Sequence, residues 1–104
     1  MRNLGGMMKK VQEMQSQIEK MQNEIANRHF SATSGGGAVS VTITGKGRVI
    51  SVSITEDVVN PKDIETLEDL IQLAVNNAKD EADKVLNSEM SKVTGGLPLP
   101  PGMK

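Results

Sequence analysis

The chain lacks cysteine and has one histidine and one aromatic residue, Phe30, among its 104 residues. Without cysteine it can form neither a disulfide framework nor a thiolate metal site, and one imidazole is too few for a usual zinc or iron centre. The same absence suits a reducing cytosol. The scarcity of aromatic rings removes the stacking platforms that bind single-stranded nucleic acid. We therefore expect no metal or other cofactor, and duplex as the more plausible nucleic-acid ligand.

Long apolar runs and an excess of basic charge are also missing. No window approaches the ~20 apolar residues that a membrane span requires. Residues 1–10 lack the apolar segment and cleavage site of a signal peptide, so we expect a cytoplasmic protein. With 12 basic and 13 acidic residues the net charge is −1, so any DNA binding must depend on where the cations lie.

Candidate catalytic groups are sparse. His29 is the one usual general base, and it lies at a predicted helix-to-strand junction where we expect a structural or surface role. The acidic residues at 56–57 and 80–83 are expected in a turn and on a solvated helix face. The glycine segments 35–37 and 45–47 lack the strand, glycine loop and helix order of a nucleotide-binding loop. The sequence therefore predicts a protein that is not an enzyme.

Seven apolar residues recur at alternating spacings of three and four near the N-terminus: Leu4, Met7, Val11, Met14, Ile18, Met21 and Ile25. This period of 3.5 predicts a helix from about Met7 to Asn27 with a narrow apolar stripe. Such a stripe could pack on the chain's own core. Because its neighbours are mostly Gln and Asn, we favour a helix that partly projects and meets its copy.

Apolar and polar residues alternate between residues 29 and 55, which predicts three antiparallel strands. The first strand is weak and ends at the glycine run 35–37. The next two form a hairpin with one buried apolar face. Pairing like with like on that face gives the register Ile43 with Ile50, Val41 with Val52, and Val39 with Ile54. This register leaves Lys46-Gly47 as a two-residue type I′ turn.

A second helical region is predicted over residues 60–94. Asn60 would cap it, Pro61 would take its first position, and Gly95-Gly96 would end it. The apolar face of this helix consists of Leu67, Leu70, Ile71, Ala74, Ala78, Ala82, Val85 and Leu86. The Gly/Pro-rich tail, residues 95–104, cannot continue the helix. It could be a disordered end, a strap across the domain or a peptide ligand for another protein.

Cations on the first helix and at its ends are the candidate DNA-binding residues: Arg2, Lys9, Lys10, Lys20 and Arg28. In a dimer each would occur twice and could contact phosphates at two places on one duplex. The alternative is a solvated helix face on which neighbouring glutamates act as counter-charges. The residues expected to pack helices or join subunits are Met14, Ile18, Met21, Ile25, Val41, Ile43, Ile50, Val52, Leu70 and Ala74.

Several short segments, taken in order, resemble one family. They are MMKK at 7–10, SGGGAV at 34–39, TITG at 42–45, LEDLI at 67–71 and GGLPLPPG at 95–102. Met14, Met21, Ala74, Asn77, Ala78 and Met90 continue the match over nearly the whole chain. No single segment is diagnostic, but their order and spacing resemble the YbaB/EbfC family.

The resemblance implies an α+β fold with a long N-terminal helix, a three-stranded antiparallel sheet and a long C-terminal helix. It implies one domain over residues 1–104, with residues 1–28 as a projecting arm and a tweezer-like homodimer as the assembly. Members are bacterial nucleoid-associated proteins that bind duplex DNA through these arms, without a membrane or small-molecule substrate. The alternative is a protein-interaction or scaffold module acting beside recombination or replication proteins, through Met14, Met21 or the tail.

Overall fold

The computed structural model describes residues 4–94. Helix α1 (Leu4–Ala26) is followed by strands β1 (His29–Ser34), β2 (Val39–Thr44) and β3 (Val49–Ile54), and then by helix α2 (Ile64–Thr94). Short 3-10 turns at Gly35–Gly37 and Glu56–Val58 lie between elements. The predicted α-β-β-β-α order is confirmed. The candidate residue Arg2, the predicted stop at Gly95-Gly96 and the tail lie outside the described residues.

The three strands form an open antiparallel sheet in the order β1-β2-β3. The glycine run that ends β1 has positive φ angles at all three residues, from 61° to 95°, a conformation that side chains disfavour. In the hairpin, Val39 pairs with Ile54 and Val41 pairs with Val52, as predicted. Both pairs place apolar side chains on one face of the sheet.

The predicted pairing of Ile43 with Ile50 is wrong, because Ile43 pairs with Val49 across a β-bulge. The predicted two-residue turn is also wrong, since the loop comprises residues 45–48. A type I′ turn needs positive φ at both central residues. Among the described residues no non-glycine has positive φ, so Lys46 does not adopt it. Instead, Thr44 Oγ1 accepts hydrogen bonds from the backbone N–H groups of Lys46 and Arg48, each at 3.2 Å.

Helix α2 packs across β1 and β2 and builds the core with them. The apolar side chains of β2 and three alanines of α2 are buried, and these small side chains let the helix lie close to the sheet. Two hydrogen bonds fix the helix on β1: Ser34 Oγ donates to the Leu70 carbonyl oxygen at 2.5 Å, and Asn77 Nδ2 donates to the Thr33 carbonyl oxygen at 3.2 Å. The core residues of the sheet and α2 are Phe30, Val39, Val41, Ile43, Ala74, Ala78 and Ala82.

Strand β3 lies at the edge of the sheet and does not share in this burial. The apolar face of the hairpin was expected to be buried throughout, but Ile50 and Val52 are each 46% exposed. The reason is geometric: α2 covers the inner face of β1 and β2, and β3 lies beside it. A single chain therefore leaves an apolar edge strand uncovered.

Helix α2 begins three residues later than the sequence predicts. Asn60 does not cap it; the Asn60 side chain accepts a hydrogen bond from Lys62 N–H at 3.0 Å and forms a turn. The capping residue is Asp63, whose carboxylate accepts hydrogen bonds from the N–H and the hydroxyl of Thr66. Asn60 and Asp63 are both residue types that cap helices. The helix begins after Asp63, which is closer in sequence to Leu67, the first residue of the predicted apolar face.

Helix α1 is anchored by its C-terminal half alone. Met21 and Ile25 are buried against the core, and Met14 and Ile18 are half-buried. Residues 4–13, which we call the arm tip, are all exposed. The molecule is accordingly elongated, with extents of 72 × 23 × 17 Å.

Candidate nucleic-acid interface

Two of the candidate cations lie together on the arm tip. Lys9 and Lys10 are exposed and line one shallow surface with Gly6, Met7 and Glu13. The buried residues of α1, Met21 and Ile25, lie in its C-terminal half, so neither lysine is covered by the core. Their ammonium groups project on a part of the helix that packs against nothing else in the described chain.

The counter-charge alternative assigns these lysines to a solvated face that they share with Glu13, Glu19 and Glu24 of α1. Within residues 4–94, the salt bridge found joins Lys92 Nζ to Glu89 Oε2 at 2.9 Å, and both residues belong to α2. No carboxylate oxygen of the described chain lies within 4.0 Å of Lys9, Lys10 or Lys20. The arm lysines therefore form no direct ion pair within residues 4–94, and Glu13 is a counter-charge on the same surface as Lys9 and Lys10.

The other candidate cations lie apart from this pair. Lys20 lies where α1 meets the end of α2, and it lines a depression that also contains Glu24, Glu89 and Lys92. This setting has mixed charge and is less favourable for a phosphate. Arg28 follows the end of α1, and its guanidinium carbon lies 5.7 Å from the centre of the Phe30 ring, a cation–π distance. The structure thus divides the predicted residues among three places along the arm.

Three cations outside the predicted set lie around the β2–β3 loop. Lys46 and Arg48 belong to this loop, and Lys79 reaches it from α2. Lys46 and Lys79 line one depression with Gly47 and Asp83. The sequence carries one signal for this site, the alternation of glycine and cations at 45–48, but the same pattern is typical of a turn. Nothing in the sequence indicates that Lys79 joins it.

The β2–β3 loop is fixed against the end of α1 by a close backbone approach. Gly45 N–H donates to the Arg28 carbonyl oxygen at 3.0 Å. A Cβ atom at Gly45 would overlap the carbonyl group of Ile25. Glycine is therefore required at this position by space, and the loop is held at a defined place relative to the arm.

The candidate general base, His29, lies on the surface of the sheet. His29 is exposed at the start of β1, opposite Thr44. Among residues 4–94 no group of three His, Cys, Asp or Glu side chains is placed to hold a metal ion. Neither of the two described helices has a stretch apolar and long enough to traverse a bilayer.

The sequence was compared with protein families and with individual proteins, and both comparisons gave matches over most of the chain. The model of the YbaB/EbfC DNA-binding family matches residues 1–97. A nucleoid-associated protein of Rhizobium meliloti is 48% identical over 104 residues, which cover 100% of this chain and 97% of that protein. A nucleoid-associated protein of Clostridium kluyveri is 46% identical over 98 residues, covering 94% of this chain and 86% of that protein.

A solved structure shares the fold. The crystal structure of an uncharacterized protein from Helicobacter pylori superposes with a TM-score of 0.61 and covers 75% of this chain and 90% of that chain. The sequences are 19% identical, so this likeness bears on the fold alone.

Proposed function

This chain belongs to the YbaB/EbfC DNA-binding family, and from that premise we propose that it binds the phosphate backbone of duplex DNA as a homodimer. The contacts come from exposed cations of the first helix. The name of its relatives, nucleoid-associated protein, supports a location in the bacterial nucleoid and a role in nucleoid organisation or gene regulation. The family is a DNA-binding family and not an enzyme family.

The proposal depends on the exposure of Lys9 and Lys10 and on their lack of an ion-pair partner among residues 4–94. Both are exposed, adjacent and without a carboxylate within 4.0 Å among residues 4–94, on a helix end that extends beyond the core. Lysine ammonium groups neutralise phosphates and release condensed counterions, which gives affinity that depends on salt and little on sequence.

The near-neutral net charge is compatible with this mode of binding. Over residues 4–13 the charges are two lysines against Glu13, a net charge of +1, whereas the whole chain carries −1. The excess of acidic residues lies outside the arm tip, so the arm tip is more positive than the chain as a whole.

The homodimer is supported by the uncovered edge strand. Val49, Ile50, Val52 and Ile54 of β3 are 38–46% exposed, whereas the apolar residues of the neighbouring β2 are fully buried. An exposed apolar edge strand promotes association, and natural proteins usually cover it. A second copy supplies that cover and brings a second arm to the same duplex.

Fluorescence anisotropy with a labelled duplex, over a series of salt concentrations, tests the DNA proposal. We expect the Lys9→Gln/Lys10→Gln variant to bind more weakly and the slope of log affinity against log salt to fall by ~0.9 for each phosphate that the variant no longer neutralises. The matched control is Lys62→Gln/Lys84→Gln, which removes two exposed cations outside the arm and should keep the slope. Absence of duplex binding at low salt, or equal slopes for the two variants, would refute phosphate binding by the arm.

A second candidate function is favoured by the apolar part of the arm tip. Leu4, Met7, Met8 and Val11 are 55–68% exposed and line one groove with Gln12 and Gln15. Such a stripe is typical of a helix that binds a protein partner. Under this alternative the chain is an interaction module, and substitution of Met7 and Met8 by Gln would abolish partner capture while duplex affinity stays the same.

A further inference from the structure

Positive charge surrounds the β2–β3 loop. Lys46, Arg48 and Lys79 are all exposed, and Lys79 Cε lies 4.0 Å from the position that a Cβ at Gly47 would occupy. No carboxylate oxygen within residues 4–94 lies within 4.0 Å of any of the three cations. Lys46, Lys79 and Asp83 line one depression with a net charge of +1, and Arg48 adds a further positive charge in the adjoining loop.

We propose that Lys46, Arg48 and Lys79 form a second phosphate-binding site, on the body of the molecule, for the duplex that the arm binds. This inference rests on the proposed function and extends it from one contact region to two. The ligand is the phosphodiester backbone, because the loop presents cationic side chains without aromatic rings or a recognition helix that would read bases.

The spacing of the two regions suits one duplex lying along α1. At 1.5 Å per residue, about 24 Å of helix axis separates Lys10 from Ala26, next to which the loop is packed. Phosphates of one strand of B-DNA follow one another every ~3.4 Å along the axis. That length corresponds to about seven base pairs, so the arm and the loop would contact phosphates within one turn of the duplex.

The loop is rigid enough to keep this spacing. Its hydrogen bond to the Arg28 carbonyl oxygen, and the lack of space for a Cβ at Gly45, fix it to the end of the same helix that carries Lys9 and Lys10. Because the loop is fixed to α1, the arm and the loop can bind one stiff duplex at the same time. Binding then loses little conformational entropy, since no flexible segment between the two sites has to become ordered.

A purely structural role offers the competing explanation. The C-terminal end of a helix carries partial negative charge, and no basic residue lies in the last turn of α1. Lys46 and Arg48 would then stabilise the fold without contacting DNA. The two roles differ in what the same substitutions change: folding stability in one case and the salt dependence of DNA affinity in the other.

The test compares Lys46→Gln/Arg48→Gln with wild-type protein in duplex anisotropy over a salt series, together with thermal unfolding. We expect the salt slope to fall by ~0.9 for each phosphate left without its cation, with an unchanged midpoint of unfolding. Lys46→Arg/Arg48→Lys keeps the charge and should retain the slope. Lys62 follows the opposite end of β3, so Lys62→Gln serves as the control for removal of a cation.

The outcomes separate this inference from the proposed function. If Lys9→Gln/Lys10→Gln weakens binding while the loop variant binds as wild type does, the arm binds DNA and the second site is refuted. If the loop variant unfolds at lower temperature and its salt slope is unchanged, the cations are structural and the site is likewise refuted. If wild-type protein fails to bind duplex at low salt, both proposals fall.

Discussion

Gly45 lies in the β2–β3 loop and packs against the backbone of α1 at Ile25. A side chain at this position would overlap the Ile25 carbonyl group, which is backbone and cannot rotate away. We expect Gly45→Ala to lower the free energy of unfolding by roughly 1–3 kcal/mol, since the loop or the end of α1 must shift. Urea unfolding at one fixed protein concentration measures this change.

Gly6→Ala is the matched control for that substitution. Gly6 lies within α1, and a Cβ there meets no atom within 4 Å among the described residues. Alanine is the better helix former by up to ~1 kcal/mol, so this variant should be as stable as wild type or more stable. Equal destabilisation by both variants would show that the close approach at Gly45 does not limit stability.

At the scale of single residues, the sequence predicts where turns occur better than it predicts their conformation. It places glycine breaks at 35–37 and 45–47, because glycine between alternating strands is a strong local signal. It cannot show that Gly45 serves a close approach to Ile25, twenty positions away. The sequence therefore predicts a turn at Lys46-Gly47 and gives no sign of the bulge through which Ile43 pairs with Val49.

At the scale of elements, helix α1 combines an anchored half with an exposed half. Ile25 is 5% exposed and Val11 is 55% exposed, although both belong to the same apolar stripe. We expect Ile25→Ala to lower the free energy of unfolding by roughly 2–5 kcal/mol, because it removes a fully packed side chain. Val11→Ala should change it by no more than ~0.5 kcal/mol.

Chemical denaturation monitored by circular dichroism distinguishes the two positions. If Val11→Ala destabilised the protein as much as Ile25→Ala does, the arm tip would be packed in solution, and its lysines would not be free to reach phosphates. The comparison therefore also bears on how much of α1 is available to DNA.

The elements themselves were largely predictable because their periodicity is long and regular. The 3.5-residue stripe of α1 and the alanine-rich face of α2 each extend over many turns, and the structure has both helices. The start of α2 was less predictable, since Asn60 and Asp63 are both good capping residues and the tertiary position of the first turn decides between them.

At the scale of the whole molecule, the sequence could not show which cations come together. Lys46 and Lys79 are far apart in the chain and line one depression because α2 packs on β2, the strand that leads into the loop. Lys20 and Lys9 share one helix, yet Lys20 lies beside Glu89 of α2 while Lys9 lies on the arm tip. The predicted set of cations, taken from one helix, therefore omits Lys46 and Lys79, which the fold brings together from the loop and from α2.

The uncovered β3 strand is the surface through which we propose that two chains associate. Val52 pairs with the fully buried Val41 and therefore lies on the apolar face of the sheet, yet it is 46% exposed in a single chain. We expect Val52→Asp to yield a folded monomer, because a charge at a dimer interface must be desolvated while the single chain leaves the side chain in water. Ser53→Asp, on the opposite face of the same strand, should remain a dimer.

Light scattering after size exclusion gives the mass of each variant, and circular dichroism verifies that it is folded. If Val52→Asp keeps the mass of wild type, the β3 face is not the interface and two arms must be brought to the duplex in another way. If wild-type protein is itself a monomer, the homodimer is refuted.

If the monomeric variant forms, its duplex affinity should fall well below that of Ser53→Asp, because one arm then binds without the effective concentration that a second arm provides.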